Sequence, residues 1–419
     1  MQIRNSIGEH SGNTRGTLFF IANFYYTCLR KEDYNMNAID YTISRGDLSF
    51  EVSPFNEVDA MIFSLLAYYQ AERLIKMGIE IKGSTLLEVS RVHREKIKRE
   101  YSLDAEFELE RDIMPLKFAP YIMSQLIETD RFKDVKIVDF VERFDAETVV
   151  QFAAYTFELP NGDRVLAYRG TDDSTVGWKE DCMLSFLPRI PGQEEAAKYA
   201  SALEKNKRYY ITGHSKGGNE AMYAYLYMDE GKVGNILGVY NFDGPGFLHD
   251  VFEMERYKAN KEKIHSFVPS SSVVGMLLKH TNDYTVVKSI SMGVKQHNAL
   301  FWQVRCTKFD IEKGNEWKRQ VSEETFAKFL SELSIDDRRH ITDSAFALLE
   351  KSGVRSFAQF SHSTKTLATV MKELMKLPIE ERKKLRGAIK RLSTVWASSY
   401  IKLSPKKAKV EKSKLKIKP

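Results

Sequence analysis

The sequence predicts an α/β fold with a mostly parallel central sheet, followed by a C-terminal helical extension and a basic tail. Two observations lead to this prediction. Strand-like runs alternate with helical segments through the middle of the chain, and this alternation is typical of a parallel sheet covered on both faces. Beyond residue 310 the strand-like runs cease, and residues 316–395 have a helical pattern rich in Lys, Glu, Leu and Ala.

The predicted elements follow one another in a regular order. Before the sheet, Glu57–Gln70 has helical spacing with Asn56 as its N-cap, and residues 85–130 are charged and mostly helical. The turn at Pro160–Asp163 joins the first two strands as a hairpin. The predicted strands are Val149–Leu159, Arg164–Tyr168, Arg208–Thr212, Asn235–Phe242, Lys263–Val268, Tyr284–Ile290 and Leu300–Val304, and the predicted helices among them are Gln193–Lys205, Lys216–Glu230 and Asp250–Asn260.

Composition and charge exclude several classes of protein. The chain has 419 residues, which suggests two or three structural units, and 43% hydrophobic with 29% charged residues argues against global disorder. The formal net charge is +6, and Pro405–Pro419 alone holds seven Lys and one Glu. The rest of the chain is neutral in sum, which excludes a protein whose whole body binds nucleic acid. No run approaches eighteen apolar residues, so we expect no membrane-spanning helix.

The pattern divides the chain into four parts. They are an N-terminal extension at 1–35, an α/β domain at 36–310, a helical extension at 311–400 and a disordered basic tail at 401–419. Within the first part, the apolar segment Thr17–Leu29 has the character of a signal peptide, but no small-residue cleavage site follows it. The alternative is that translation begins at Met36 and that residues 1–35 are not translated.

The cysteines and the missing motifs limit the chemistry. Cys28, Cys182 and Cys306 are widely spaced and form no CxxC pair, so we expect reduced thiols and a cytoplasmic protein. The sequence contains no HExxH, no P-loop and no Rossmann glycine motif. We therefore expect neither a metal nor a nucleotide, and no other cofactor is implied.

The motif that carries chemistry is Gly213-His214-Ser215-Lys216-Gly217-Gly218, which contains Gly-x-Ser-x-Gly. It follows a predicted strand and opens a predicted helix, which is the context of a nucleophile elbow. The glycines permit the sharp turn, and the backbone N–H of Lys216 would be free to hold a developing oxyanion. The structural alternative is an accidental glycine-rich strand-to-helix turn.

A serine nucleophile also needs a second oxyanion donor, a base and an acid. Thr171, in the loop after a preceding strand, could supply both its N–H and its hydroxyl, or could be part of an ordinary polar loop. In hydrolases of this sheet type the acid and then the histidine follow the serine along the chain.

Candidates for the base and the acid follow from that order. His297 is the first candidate for the base and His280 is its competitor. Asp243, directly after the strand that follows the elbow helix, is the first candidate acid, with Asp283 as the runner-up. Asp243 could instead only cap its glycine-proline turn. His214 points away from its neighbour Ser215 and is expected to pack or to form local hydrogen bonds.

The middle of the chain resembles the lipase-like α/β hydrolases, specifically the class 3 (fungal-type) lipase group, and within it an uncharacterised bacterial branch. The resemblance spans about residues 38–305. It implies an α/β-hydrolase fold for residues 36–310 and an oxyanion-hole role for Thr171. The matching segments are Gly46–Phe50, Pro54–Ala60, Tyr168–Thr171, Trp178 with Asp181, Gly213–Gly218, Asn241–Phe247, Ser272–Leu278 and Gln296–His297.

Two positions depart from the class 3 pattern. Class 3 lipases carry a hydrophobic residue or Gln after the nucleophile, where this chain has Lys216. The position of their catalytic Asp falls on Ser272, which cannot orient an imidazolium electrostatically. Either Asp243 has taken that role or the site is weakened.

We therefore expect a serine hydrolase of the EC 3.1.1 type that cleaves carboxylic esters, as a lipase or esterase, through an acyl-enzyme on Ser215. Its substrate would be a small-molecule ester or a lipid. The alternative is a catalytically degenerate hydrolase fold that acts as an interaction module, which Ser272 and the helical extension both suggest.

Two further segments leave alternatives open. The segment Asp172–Gly192 is rich in apolar residues and suits either a lid over an acyl chain or plain core packing. The Lys-rich tail could make weak contact with an anionic membrane or with nucleic acid, or could remain a solvated terminus. No specific nucleic-acid binding is expected.

Overall fold

The computed structural model describes residues 36–68, 75–76, 78, 80–92, 129–314, 316–356, 359 and 363–403. Its centre is a seven-stranded sheet whose strands lie in chain order. The first three strands pair antiparallel, and every later pair is parallel. The strands are β1 Lys136–Asp145, β2 Val150–Glu158, β3 Arg164–Tyr168, β4 Tyr209–His214, β5 Ile236–Phe242, β6 Ile264–Pro269 and β7 Tyr284–Val287. The predicted α/β architecture with a mostly parallel sheet is confirmed.

Helices cover both faces of this sheet. One face carries α1 (Ala38–Arg45) and α2 (Glu57–Leu66), and the other carries the helices that connect the parallel strands. In β3, Val165 belongs to the first core and Leu166 to the second, because successive side chains of a strand point to opposite faces. The connecting helices are α3 Thr175–Met183, α4 Pro191–Ser201, α5 Lys216–Tyr227, α6 Glu230–Val233 and α7 Glu255–Ala259.

A buried ion pair fastens the N-terminal helices to the body. Asp59 in α2 binds Arg131 at 2.5 Å, and both side chains are fully buried. The hydroxyl of Tyr41 in α1 donates to the same carboxylate at 2.9 Å. Arg131 also donates to the carbonyl oxygens of Leu48 and Ser53, so its charge is well partnered.

Residues beyond 315 form the helices α8 Glu316–Ser331, α9 Ile335–Lys351, α10 Thr364–Lys376 and α11 Ile379–Leu403. Helices α8 and α9 pack on α11, and α10 packs on α9 around a small apolar cluster of Leu348, Val354 and Val370. The predicted helical character of this region is confirmed. The domain bounds remain predictions, and residues 1–35 and 404–419 lie outside the described residues.

Two predicted elements are wrong. The segment Asp250–Asn260 is broken by the extended backbone of Met254 into a 3-10 helix, Val251–Glu253, and the short helix α7. The segment Leu300–Val304 is not a strand of the sheet. Its first residues belong to the 3-10 helix Ala299–Phe301, which the side chain of Asn298 caps, and the two-residue strand β8 (Val304–Arg305) pairs only with β9 (Lys308–Phe309).

The sequence pattern also missed strand β1. Of its ten residues only Ile137 is fully buried, so the strand shows little of the apolar alternation that reveals a strand in a sequence. Within the described residues, none of the helices is long and apolar enough to cross a bilayer.

Candidate active site

Ser215 lies at a sharp turn between β4 and α5. Its backbone has φ 59° and ψ −132°, which is outside the helical and strand regions that non-glycine residues ordinarily adopt. Its N–H donates to the carbonyl oxygen of Phe242 in the neighbouring strand at 3.0 Å. The turn therefore has the strained strand-to-helix geometry that a nucleophile elbow requires.

Two glycines allow the loop after β3 to reach the elbow. A Cβ atom at Gly217 would clash with the carbonyl oxygen of Tyr168, and one at Gly170 would clash with the hydroxyl of Tyr68. Only glycine permits such a close approach of backbone. The Arg169-Gly170-Thr171 loop is thereby held against the first turn of α5.

Asp243 and His297 form a hydrogen-bonded pair at the end of β5. The Nδ1 atom of His297 lies 2.7 Å from Oδ2 of Asp243, and the side chain of Asp243 is fully buried. The other carboxylate oxygen accepts hydrogen bonds from the hydroxyl of Ser272 at 2.5 Å and from the N–H of Gly275 at 3.2 Å. Ser272 thus positions Asp243.

His214 and Tyr68 hold the backbone of His297 in place. His214 Nε2 lies 2.7 Å from the carbonyl oxygen of His297, and its Nδ1 lies 3.1 Å from the hydroxyl of Tyr68. Burial lowers the pKa of His214 to about 3, so the ring is neutral at physiological pH. Because a carbonyl oxygen only accepts, Nε2 carries the proton and Nδ1 accepts from Tyr68. The predicted local role of His214 agrees with this geometry, whereas Tyr68 was missed.

His297 also lies beside the elbow. The rings of His214 and His297 are 4.7 Å apart between centroids, and Ser215 is the residue after His214. Among the hydrogen bonds of the described residues, none joins the hydroxyl of Ser215 to His297. Catalytic hydrogen bonds are often long without substrate and tighten when it binds, so this contact belongs to the functional proposal.

The two candidate oxyanion donors differ in their surroundings. Lys216 is the first residue of α5, and no carbonyl within the helix can accept from its backbone N–H. The hydroxyl of Thr171 instead donates to Oδ2 of Asp181 at 2.6 Å. Burial raises the pKa of Asp181 to about 6, although the charge of Lys216 opposes this effect. The backbone N–H of Thr171 is therefore its remaining donor for an oxyanion.

The side chain of Lys216 is buried and links the elbow to α3. Its Nζ lies 2.6 Å from Oε2 of Glu180 and 3.0 Å from Oε1 of Gln151. Glu180 in turn accepts the backbone N–H groups of Gln151 at 3.1 Å and Gly192 at 2.8 Å. The sequence marked Lys216 as a departure but did not reveal Glu180, although a buried lysine requires an acidic partner.

A second buried carboxyl, Glu220, lies one turn later in α5. Its Oε1 lies 4.0 Å from Nζ of Lys216, and within the described residues neither carboxyl oxygen has a hydrogen-bond partner. Burial raises the pKa of Glu220 well above its usual value, although the charge of Lys216 opposes this effect. Folding therefore shifts the protonation equilibrium of Glu220 toward its neutral form.

Comparison with known proteins identifies the family. A profile of the Mbeg1-like family matches residues 126–347, slightly more than half of the chain. The chain belongs to the Mbeg1-like family. None of the curated proteins matches it. A crystal structure of M37 lipase is similar over 54% of this chain and 70% of that chain, with a TM-score of 0.33 and 16% identity. A similarity this weak carries no argument about the present chain.

The Mbeg1-like assignment and the mixed α/β sheet support the lipase-like part of the resemblance. The narrower class 3 group and its bacterial branch stay predictions. No group of three or more His, Cys, Asp or Glu side chains suited to a metal ion occurs in the described part of this Mbeg1-like protein.

The competing residues lie apart from the Asp243–His297 pair. His280 Nδ1 lies 3.0 Å from the carbonyl oxygen of Thr281, and its Nε2 lies 3.8 Å from Glu323 of α8. Asp283 is exposed, and its N–H donates to the hydroxyl of Thr281. The structure therefore brings together the first candidates, Asp243 and His297, rather than the runners-up.

The segment after Asp172 is held by the helical extension of this Mbeg1-like protein. Its side chains Leu184, Phe186 and Ile190 are buried, and helix α9 packs on α3. Lys179 of α3 binds Asp343 of α9 at 3.0 Å, and Arg338 of α9 donates to the carbonyl oxygen of Ser185 at 2.7 Å. These contacts favour core packing over a free lid in this conformation.

Proposed function

We propose that this Mbeg1-like protein is a serine hydrolase that cleaves carboxylic esters, of lipids or other acyl esters, through an acyl-enzyme on Ser215. The observation that carries the proposal is the Asp243–His297 pair, held beside a serine with φ 59°. A strained serine next to a buried, hydrogen-bonded Asp–His pair is the arrangement that activates a hydroxyl nucleophile.

The residues divide the reaction between them. Nε2 of His297 takes the proton of Ser215 as Oγ forms a bond to the ester carbonyl carbon, and the N–H groups of Lys216 and Thr171 donate to the oxyanion. The C–O bond to the alcohol then breaks, His297 protonates the departing alcohol, and an ester on Ser215 remains. Water repeats the sequence and releases the acid. Asp243 accepts Nδ1–H of His297 and stabilises the imidazolium at both steps.

Two observations bear on the alternatives. The degenerate-fold hypothesis arose because Ser272 stands where class 3 lipases have an acid, yet Asp243 contacts both Ser272 and His297. This favours an active hydrolase. We also propose a cytoplasmic location, because the three cysteines are widely spaced and form no CxxC pair.

A fluorophosphonate probe tests the proposal directly, because it reacts with an activated serine. We expect labelling of the wild type and of a control variant, Ser331→Ala on α8, with the label mapped to Ser215 by peptide mass analysis. In Ser215→Ala the label should be absent, and hydrolysis of p-nitrophenyl esters should fall by about 10³-fold or more, with the thermal unfolding midpoint preserved.

Two results would count against it. Turnover that survives in Ser215→Ala would mean that another group carries the reaction. A well-folded wild type that takes no label would favour the interaction module. An acyl chain-length series on the labelled enzyme would then distinguish a preference for lipid esters from a preference for short esters.

A further inference from the structure

Helix α10 carries an exposed apolar stripe. Its buried face packs through Val370 and Leu374 against the cluster around Leu348. Leu367, Met371 and Met375 are 47%, 46% and 54% exposed. Residues four apart lie on one face of a helix, so these side chains form a line about 12 Å long. Ile379, the first residue of α11, is also exposed, and together these four residues are named the α10 stripe.

Positive side chains border this stripe. The guanidinium nitrogens of Arg382 and Arg386 lie 3.6 Å and 3.8 Å from the sulfur of Met375. Lys372, on the same helix, is exposed. The acidic residues here have partners of their own: Glu373 binds Lys376 at 2.6 Å, Glu380 binds Lys383 at 3.0 Å, and Glu381 accepts from the hydroxyl of Ser344 at 2.8 Å.

The net charge of residues 363–419 is opposite in sign to that of the preceding residues. Residues 363–419 contain seventeen Lys or Arg and four Asp or Glu. Because the formal net charge of the chain is +6, the preceding 362 residues carry a net charge of −7. The described stretch 363–403 alone contains ten Lys or Arg and three Asp or Glu, so an anionic surface attracts the helices that bear the stripe.

We propose that α10 and the start of α11 dock on an anionic lipid surface, with the α10 stripe among the acyl chains and the basic side chains at the headgroups. An apolar face bordered by Lys and Arg is the pattern of helices that lie in a bilayer interface. The stripe is a narrow line on a convex helix. A second copy of the chain would bring the same positive side chains together, which disfavours self-association through this face.

This proposal goes beyond ester hydrolysis and is independent of Ser215. Docking needs only the stripe and its basic border, so it would hold for an active enzyme and for a degenerate fold alike. The two proposals can thus fail separately. Absence of membrane binding would contradict the docking proposal alone, and absence of serine labelling would contradict the hydrolase proposal alone.

The experiment measures co-sedimentation of the full chain with vesicles of phosphatidylcholine alone or mixed with phosphatidylserine. We expect binding to the mixed vesicles that weakens as salt rises. The double variant Met371→Glu with Met375→Glu should bind at least about tenfold more weakly, because it places charge on the apolar face. The control Ile43→Glu changes an equally exposed apolar residue on α1 and should bind as the wild type does, as should Ser215→Ala.

Several results would overturn the proposal. One is equal binding by the double variant and the wild type when both give the same circular dichroism and thermal unfolding. Another is the absence of binding to mixed vesicles by the wild type. A dimer in sedimentation equilibrium that the double variant dissociates would make the stripe a self-association surface. Loss of vesicle binding when only the seven lysines after Leu403 become Gln, with full binding by the double variant, would assign the contact to the tail.

Discussion

Asp59 and Asp243 are both buried, and each binds a basic side chain, but their surroundings differ. Asp59 accepts two hydrogen bonds from Arg131, at 2.8 Å and 2.5 Å, and one from Tyr41, and this cluster is sealed from solvent. Asp243 binds His297, whose side chain keeps 11% of its surface exposed. The first cluster is closed on itself, whereas the second leaves one ring nitrogen available beside Ser215. Removing one partner of the closed network leaves a buried charge uncompensated and destabilises the fold, whereas the open pair can move protons.

The largest expected effect breaks the second cluster. Asp243→Asn keeps the shape but removes the charge that orients His297 and stabilises its imidazolium, so kcat should fall by about 10³- to 10⁴-fold. The measurement is kcat for a p-nitrophenyl ester, beside thermal unfolding. A kcat within tenfold of the wild type would show that Asp243 is not the acid of the site.

The matching change in the first cluster should affect stability instead of catalysis. Arg131→Met leaves the buried charge of Asp59 without its cation, and we expect the free energy of unfolding in urea to fall by about 3–5 kcal/mol. The kcat of the folded fraction should remain near that of the wild type.

The control for Arg131 is an exposed pair. Arg143 binds Glu195 at the surface, and Arg143→Met should cost about 1 kcal/mol or less. If the two arginine variants lose equal stability, the closed cluster does not have the structural role assigned to it.

The sequence predicted local features well and long-range contacts poorly. Strand β3 was predicted with both of its bounds, and the elbow was recognisable because a strand, a glycine-rich turn and a helix follow one another within a few residues. Asp243 and His297, which the structure places in hydrogen-bond contact, were chosen as candidates from the chain order of such sites. The error at Leu300–Val304 arose because a short apolar run suits a strand and a buried 3-10 turn equally.

The missed contacts join residues that are far apart along the chain. Lys216 and Glu180 are 36 positions apart, and Tyr68 and His214 are 146 positions apart. Nothing in the local pattern of a single sequence connects such residues, since their contact follows from the packing of distant elements, as when α2 packs on β4. The one signal in the sequence was Lys216 at a position where the resemblance implies a hydrophobic residue or Gln, and it did not identify Glu180.

A smaller effect on kcat is expected when Ser272, which donates a hydrogen bond to Asp243, is replaced. Ser272→Ala removes a hydrogen bond to a charged acceptor, which contributes about 1.5–3 kcal/mol, so kcat should fall by about 10- to 100-fold. The N–H of Gly275 still binds the carboxylate, so the loss should stay below that of Asp243→Asn. The neighbour variant Ser271→Ala serves as the control and should retain wild-type kcat. Equal losses in both variants would point to a disturbed loop rather than to the hydrogen bond.

The smallest effect concerns Glu220, where a buried carboxyl lacks hydrogen-bond partners within the described residues. Burial raises its pKa well above the usual 4.5. Because folding raises this pKa, the folded chain holds the proton to higher pH than the unfolded chain does, so this group makes unfolding easier as pH rises above 4.5. Glu220→Gln has no such proton. Between pH 5 and pH 6 the free energy of unfolding of the wild type should therefore fall relative to that of Glu220→Gln. The relative fall should be at most about 1.4 kcal/mol.

Urea unfolding at the two pH values measures this difference, and Glu147→Gln, at an exposed position, provides the matched control. A difference between Glu220→Gln and the wild type that stays constant with pH would mean that Glu220 is ionised in the folded protein. Lys216 would then have to neutralise Glu180 and Glu220 together. The cluster beside the elbow would in that case resemble the closed network around Asp59, with its charges balanced inside the protein, more than the open pair of Asp243 and His297.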